Sequence, residues 1–159
     1  MLLIETTKDR VSAVVTKQGR IECEYVVNCC GMWARQLGAA VGVDIPLQAT
    51  EHVYFVTEPI DGLPDPLPIT RDLDAGIYLK EDAGKLVVGG FEHEARPWHP
   101  EGIPMDASYT MLPEDWDRYA IFMENGIERF PALESAGIRT FMNGPESFTP
   151  DTRQIIGEA

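Results

Sequence analysis

The sequence predicts an α+β fold, an antiparallel sheet carrying one amphipathic helix, flanked by incomplete pieces of a second, α/β domain. Three observations predict it. Short alternating strands are joined by tight turns: residues 11–17 and 20–25 around Gln18-Gly19, and residues 77–81 and 85–91 around Asp82-Ala83-Gly84. One long helical periodicity follows, with Trp116, Tyr119, Met123, Ile127 and Phe130 at helical spacing. The two ends of the chain read differently, as an apolar stretch into a glycine turn at Val26–Gly31 and a Gly/Pro loop after Met142, and neither carries parallel strands.

Each element has a local reason. Val26-Val27-Asn28 extends the strand of residues 20–25 into an apolar stretch, and Gly31 permits the sharp turn that ends it. Residues 32–42 read as a short helix with Trp33, Leu37, Ala40 and Val41 near one face, closed by Pro46. Residues 48–57 alternate as a strand, placing His52, Tyr54 and Val56 on one face and Val53 and Phe55 on the other. Pro59, Pro64, Pro66 and Pro68 mark a loop, and residues 92–112 read as a second, irregular one. Pro113-Glu114-Asp115 opens the long helix, with acids against its dipole; Arg129 suits its last turn and Pro131 stops it. Residues 138–142 form a last strand. The expected division is 1–46, 47–142 and 143–159.

Composition narrows the function classes. With 13 basic and 26 acidic residues the net charge is −13, which disfavours nucleic acid and anionic membrane surfaces as partners. No apolar run approaches the roughly 20 residues of a membrane span. The start, Met1-Leu2-Leu3-Ile4-Glu5, does not read as a signal peptide. Cys23, Cys29 and Cys30 have neither the count nor the spacing of a disulfide framework or zinc site. They suit a reducing compartment, with Cys29 and Cys30 expected to pack inside. His93, His99, Glu92 and Glu94 lie close in sequence, but their spacing fits no metal-binding pattern, so no metal is expected.

Four segments could carry chemistry. An apolar strand ending in Asn28-Cys29-Cys30-Gly31 before a helix is half of a phosphate or dinucleotide site, or equally a structural turn. His52 on a strand is compatible with a structural role and with acid–base chemistry. Tyr78 on a hairpin is compatible with packing and with a hydroxyl aimed at a ligand. Arg71 could clamp a carboxylate, although an ion pair with Asp72 or Asp74 is the favoured expectation. The string Gly144-Pro145-Glu146-Ser147-Phe148-Thr149-Pro150-Asp151, with Gly157-Glu158-Ala159, is the most specific of the four.

Taken with Val26–Ala34, His52-Val53-Tyr54-Phe55-Val56-Thr57 and Arg71–Tyr78, that string resembles the FAD-dependent sarcosine and dimethylglycine dehydrogenases, members of the D-amino-acid-oxidase-like group. The resemblance is collinear from about Val11 to Ala159. It implies hydride transfer from the carbon beside an amine nitrogen to flavin, with a small-molecule amine such as an N-methylated glycine as substrate. It implies His52 and Tyr78 at the substrate, and Asn28, Cys29, Cys30, Gly31, Trp33, Gly144 and Pro145 along the FAD. Cys29 and Cys30 stand where the family usually has alanines, a small-for-small change. The family's opening G-x-G-x-x-G is missing, and no two glycines are spaced G-x-G. The expectation is therefore an internal piece of such an enzyme that binds FAD weakly or not at all alone, lacks activity in isolation and self-associates through exposed apolar surface. Val14, Val26, Val27 and the Trp33 helix are the candidates for that surface. A non-catalytic interaction module built on the same fold and an amino-acid oxidase of the same superfamily stand as alternatives. The expected location is the cytoplasm, or the mitochondrial matrix in a eukaryote.

Overall fold

The computed structural model describes residues 3–159. Met1 and Leu2, part of the segment read for a signal peptide, lie outside the described residues. The chain divides into two compact units, one of residues 1–49, 98–107 and 147–159, the other of residues 50–97 and 108–146. The first break between them falls at Ala49/Thr50, and residues 143–146 group with the second unit.

The first unit holds a three-stranded antiparallel sheet, β1 (Leu3–Thr7), β2 (Arg10–Thr16) and β3 (Gly19–Glu22), in that order. The β2–β3 hairpin is the one expected from Gln18-Gly19, while β1 was not anticipated. Its Ile4 sits opposite Val14, and Ile4 and Ala13 are buried. The strand expected over Val26-Val27-Asn28 does not form: β3 ends at Glu22 and residues 23–30 have no regular structure. An apolar stretch becomes a strand only when a neighbour takes its N–H and C=O groups, and no described strand pairs with this one. Hence Val27 is 82% exposed, and Cys29 and Cys30 are exposed free thiols rather than packed ones. Val14, Val26 and Trp33, expected on an exposed face with Val27, are half-buried.

After Gly31, whose φ of +54° makes the expected turn, a 3-10 turn (Gly31–Trp33) runs into α1 (Ala34–Ala39), shorter than the helix expected over 32–42. Residues 98–107 join this unit through Gln36. Its Nε2 donates to the Ile103 carbonyl at 2.9 Å, and its Oε1 accepts the Ile103 N–H at 2.7 Å. Trp33 Nε1 donates to the Pro104 carbonyl at 3.0 Å.

The second unit is built on a five-stranded sheet. Its strands are β4 (Gln48–Thr57), β5 (Thr70–Asp72), β6 (Ile77–Asp82), β7 (Lys85–Gly90) and β8 (Ile138–Phe148), in the order β5-β6-β7-β4-β8. The β6–β7 hairpin turns at Ala83 and Gly84, both with positive φ. One face carries the core. Val53, Phe55, Ile77, Leu79, Leu86 and Val88 pack with Tyr119 and Phe122 of α2 (Trp116–Arg129), Leu133 and Phe141. Burying each such side chain removes it from water for about 1.5–3 kcal/mol, and this face is the main source of the unit's stability.

Helix α2 starts later than Pro113 suggested. The Asp115 carboxylate accepts the Arg118 N–H at 3.2 Å and takes the N-cap, so helical geometry begins only at Trp116. Its buried stripe is Tyr119, Phe122 and Gly126, and Trp116 is 43% exposed. The last strand overruns expectation most. β8 continues through Asn143-Gly144-Pro145-Glu146 to Phe148, where a loop was expected. At the sheet edge a proline lacks only an N–H that no inner strand needs.

Candidate functional site

The sheet face opposite the core gathers the site. Alternation along β4 turns His52 and Tyr54 away from buried Val53 and Phe55. Tyr78 lies on β6, two strands away, with β7 between. The β7 residue in the same row is Gly89, which pairs with Tyr78 on one side and Tyr54 on the other. A glycine there leaves the row empty, and the Tyr78 ring lies across it: a Cβ at Gly89 would overlap Tyr78 Cζ and Oη and sit 2.7 Å from Cε1. In this way the Tyr78 hydroxyl reaches His52 Nε2, at 3.4 Å.

Phe91, just past β7, completes the wall. Its ring centroid is 5.1 Å from that of His52 and 5.8 Å from that of Tyr78. From β8 comes Glu146, with Oε2 3.7 Å from His52 Nε2. A cleft of about 160 Å³ opens between the strands, lined by His52, Tyr54, Met111, Asn143, Gly144, Pro145 and Glu146 among others. Neither Phe91 nor Glu146 was singled out from sequence. Phe91 stood in Gly89-Gly90-Phe91-Glu92, a run that shares in the family resemblance, and Glu146 stood inside the most specific string of the chain.

Burial pulls His52 below its ordinary pKa and outweighs the Glu146 and Glu92 carboxylates, which act the other way. The imidazole is therefore neutral at pH 7 and can accept a proton. The Tyr78 hydroxyl is raised above its ordinary range by burial first, then by Glu146 and Tyr54, with Arg71 opposing. It stays protonated and can donate a hydrogen bond.

Beneath the face, a buried polar group ties β4 to β8. Glu51 Oε2 accepts from Tyr119 Oη at 3.1 Å and from Asn143 Nδ2 at 3.0 Å. Asn143 Nδ2 also donates to the Pro113 carbonyl, at 3.0 Å. These bonds hold Asn143 with its amide oriented, one residue before Gly144.

The structure brings together four of the sequence-derived site residues, His52, Tyr78, Gly144 and Pro145, all in the second unit. Gly144 and Pro145 belong to strand β8 instead of the expected loop. Asn28, Cys29, Cys30, Gly31 and Trp33 belong to the first unit. There Asn28 braces the turn: Oδ1 accepts the Cys30 N–H at 3.3 Å, and Nδ2 donates to the Ala34 carbonyl at 2.9 Å. Space is open where a Gly31 side chain would stand.

The expected ion pair of Arg71 with Asp72 or Asp74 is not what forms. Asp72 accepts the backbone N–H groups of Asp74 and Ala75 and binds Arg129, so it is already satisfied. The Arg71 guanidinium instead stands over the Phe91 ring, 5.0 Å from its centroid. Among the described residues no group of three or more His, Cys, Asp or Glu could hold a metal ion. Glu92 pairs with Arg118 at 2.9 Å, and His99 with Glu101 at 3.0 Å. No described helix is long and apolar enough to cross a membrane.

Residues 2–159 match the family model described as FAD dependent oxidoreductase. Over 150 residues, 94% of the chain, it is 42% identical to 4-methylaminobutanoate oxidase (formaldehyde-forming) of Paenarthrobacter nicotinovorans, covering 18% of that protein. It is 43% identical to mitochondrial sarcosine dehydrogenase of Mus musculus, again over 94% of the chain and 16% of that protein. The mitochondrial pyruvate dehydrogenase phosphatase regulatory subunit of Mus musculus is 40% identical over 96% of the chain and 18% of its own length. The chain thus spans less than a fifth of these relatives. The fold is shared with L-proline dehydrogenase from P. horikoshii, at a TM-score of 0.75 and 22% identity over 99% of this chain and 40% of that one. With a family model matched across nearly its whole length, the chain belongs to the FAD-dependent oxidoreductase family.

Proposed function

We infer that the chain is the substrate-side part of an enzyme that oxidises an N-methylated glycine or a similar secondary or tertiary amine. The observation that carries this reading is the contact of His52 Nε2 with the Tyr78 hydroxyl, 3.4 Å apart, where His52 lines a cleft shared with Glu146. An amine loses hydride from the adjacent carbon only when its nitrogen lone pair is free. Neutral His52 can take the ammonium proton at Nε2, breaking the substrate N–H bond and leaving the lone pair on nitrogen. The Tyr78 hydroxyl then orients the ligand by hydrogen bonding, and Phe91 supplies an apolar wall that excludes water.

The residues present fit FAD. Asn28 braces the turn with both ends of its amide, Cys29, Cys30 and Gly31 are exposed residues, and space is open where a Gly31 side chain would stand. Asn28, Cys29, Cys30, Gly31 and Trp33 are the residues of the first unit that would hold the cofactor. When bound, FAD supplies the hydride acceptor. A compartment that keeps Cys29 and Cys30 reduced, cytoplasm or mitochondrial matrix, suits the exposed thiols.

A second reading, a non-catalytic interaction module, is favoured by one observation: a 40% identical relative is named as a regulatory subunit. Titration of the chain with FAD, followed by flavin absorbance, and anaerobic bleaching of the flavin by sarcosine or dimethylglycine separate the two. Flavin that is bound and then bleached by either amine, with bleaching that His52→Ala abolishes, supports the enzyme. Flavin binding with no bleaching by any amine supports the module.

A further inference from the structure

We propose that Glu146 selects the ligand of the cleft, pairing with a protonated amine beside His52 and so excluding uncharged isosteres. This rests on the amine reading above. Glu146 extends from β8 at the point where the strand lines the cleft. Its side chain is 56% exposed, so its carboxylate is not consumed in a buried pair. Among the described residues the basic group nearest its carboxylate is the His52 imidazole, at 3.7 Å, which burial holds neutral. A carboxylate facing a neutral imidazole leaves a negative charge that a ligand cation can satisfy.

The surroundings favour the same sign. The Tyr54 ring lines the cleft, and Tyr78 and Phe91 stand against His52; aromatic faces attract an ammonium. Arg71 already occupies a face of Phe91, which steers a second cation to the Glu146 end. An anionic group placed there would meet a like charge, and a neutral ether would leave the carboxylate without a partner. Once the proton has moved from the substrate nitrogen to His52 Nε2, the same carboxylate lies 3.7 Å from the imidazolium it stabilises.

The test is NMR titration of the whole chain with sarcosine and with methoxyacetate, which replaces the amine nitrogen by an ether oxygen at nearly constant shape. Wild type should bind sarcosine more tightly. Glu146→Gln should weaken sarcosine binding about three- to fivefold and leave methoxyacetate within about twofold, as expected for a half-exposed charge pair. Glu146→Asp, which keeps the charge, should retain part of the preference. Circular dichroism confirms that each variant is folded. A Glu146→Gln protein that keeps the wild-type preference would overturn the assignment while leaving the amine reading intact. A wild-type protein that does not prefer the amine, or binds neither compound, would remove the amine reading and this assignment with it.

Discussion

Substitution of Gly89 by alanine tests how the sheet delivers Tyr78 to His52. Gly89 does not have a left-handed backbone, so alanine fits its φ, and in an open site the change should be neutral or stabilise by about 0.4–1 kcal/mol. The site is not open. The new methyl would overlap Tyr78 Cζ and Oη and stand 2.7 Å from Cε1, where carbon atoms prefer about 3.5–4.0 Å. The ring must leave the row, or the β6–β7 pairing must shift. Overpacking of this kind costs about 1–3 kcal/mol, several degrees of Tm in a chain of this size. Either response also breaks the 3.4 Å contact with His52 Nε2. The assay is urea denaturation of Gly89→Ala alone and in a Tyr78→Ala background. With the ring gone the methyl has room, so the penalty should vanish, giving a coupling of about 1–3 kcal/mol. An equal penalty in both backgrounds would refute the reasoning, because the cost would then come from the backbone and not from the Tyr78 ring.

Other outcomes follow from the same contacts. His52 titrates below its unfolded value of about 6.5, so the folded state resists protonation. Its contribution to stability is complete above that pH and is lost as pH falls toward the folded pKa. Urea unfolding at pH 7.5 and 5.5 should therefore show a larger acid loss for wild type than for His52→Gln, and a smaller one would reverse the sign. Asp115→Ala removes the N-cap of α2 and a partner of Arg96, and should destabilise by about 1 kcal/mol in thermal denaturation; Asp115→Asn, which keeps an acceptor, should recover most of it. Leu86→Ala empties a fully buried position between the sheet and α2 and should cost about 2–5 kcal/mol; a loss under 1 kcal/mol would mean that the core had closed over the gap.

The elements legible in the sequence are those whose signals are local. Strand β4 matched its expected residues because its alternation is strict from His52 to Thr57. The β6–β7 hairpin followed from Asp82-Ala83-Gly84, and α2 ended where Pro131 said it must. His52 and Tyr78 were found through a family likeness, since neither residue type declares a function alone. Where a partner decides, local reading failed. Val26-Val27 has strand composition but no described strand beside it, whereas Gly144-Pro145 has loop composition and lies in β8, which neighbours β4 in the sheet.

By itself, then, the sequence determined the class of fold and the family, because periodicity, turn chemistry and motif order are carried along the chain. Only tertiary structure decided which side chains meet. Tyr78 and His52 are 26 positions apart and Glu146 is 94 positions beyond His52, and no spacing rule joins them. The strand order β6-β7-β4-β8 sets them on one face, and the empty Gly89 position between the first pair lets their side chains touch. The same holds for charge. A histidine has its ordinary pKa in a sequence, and it becomes a neutral base here because the fold strips water from it faster than Glu146 and Glu92 can compensate.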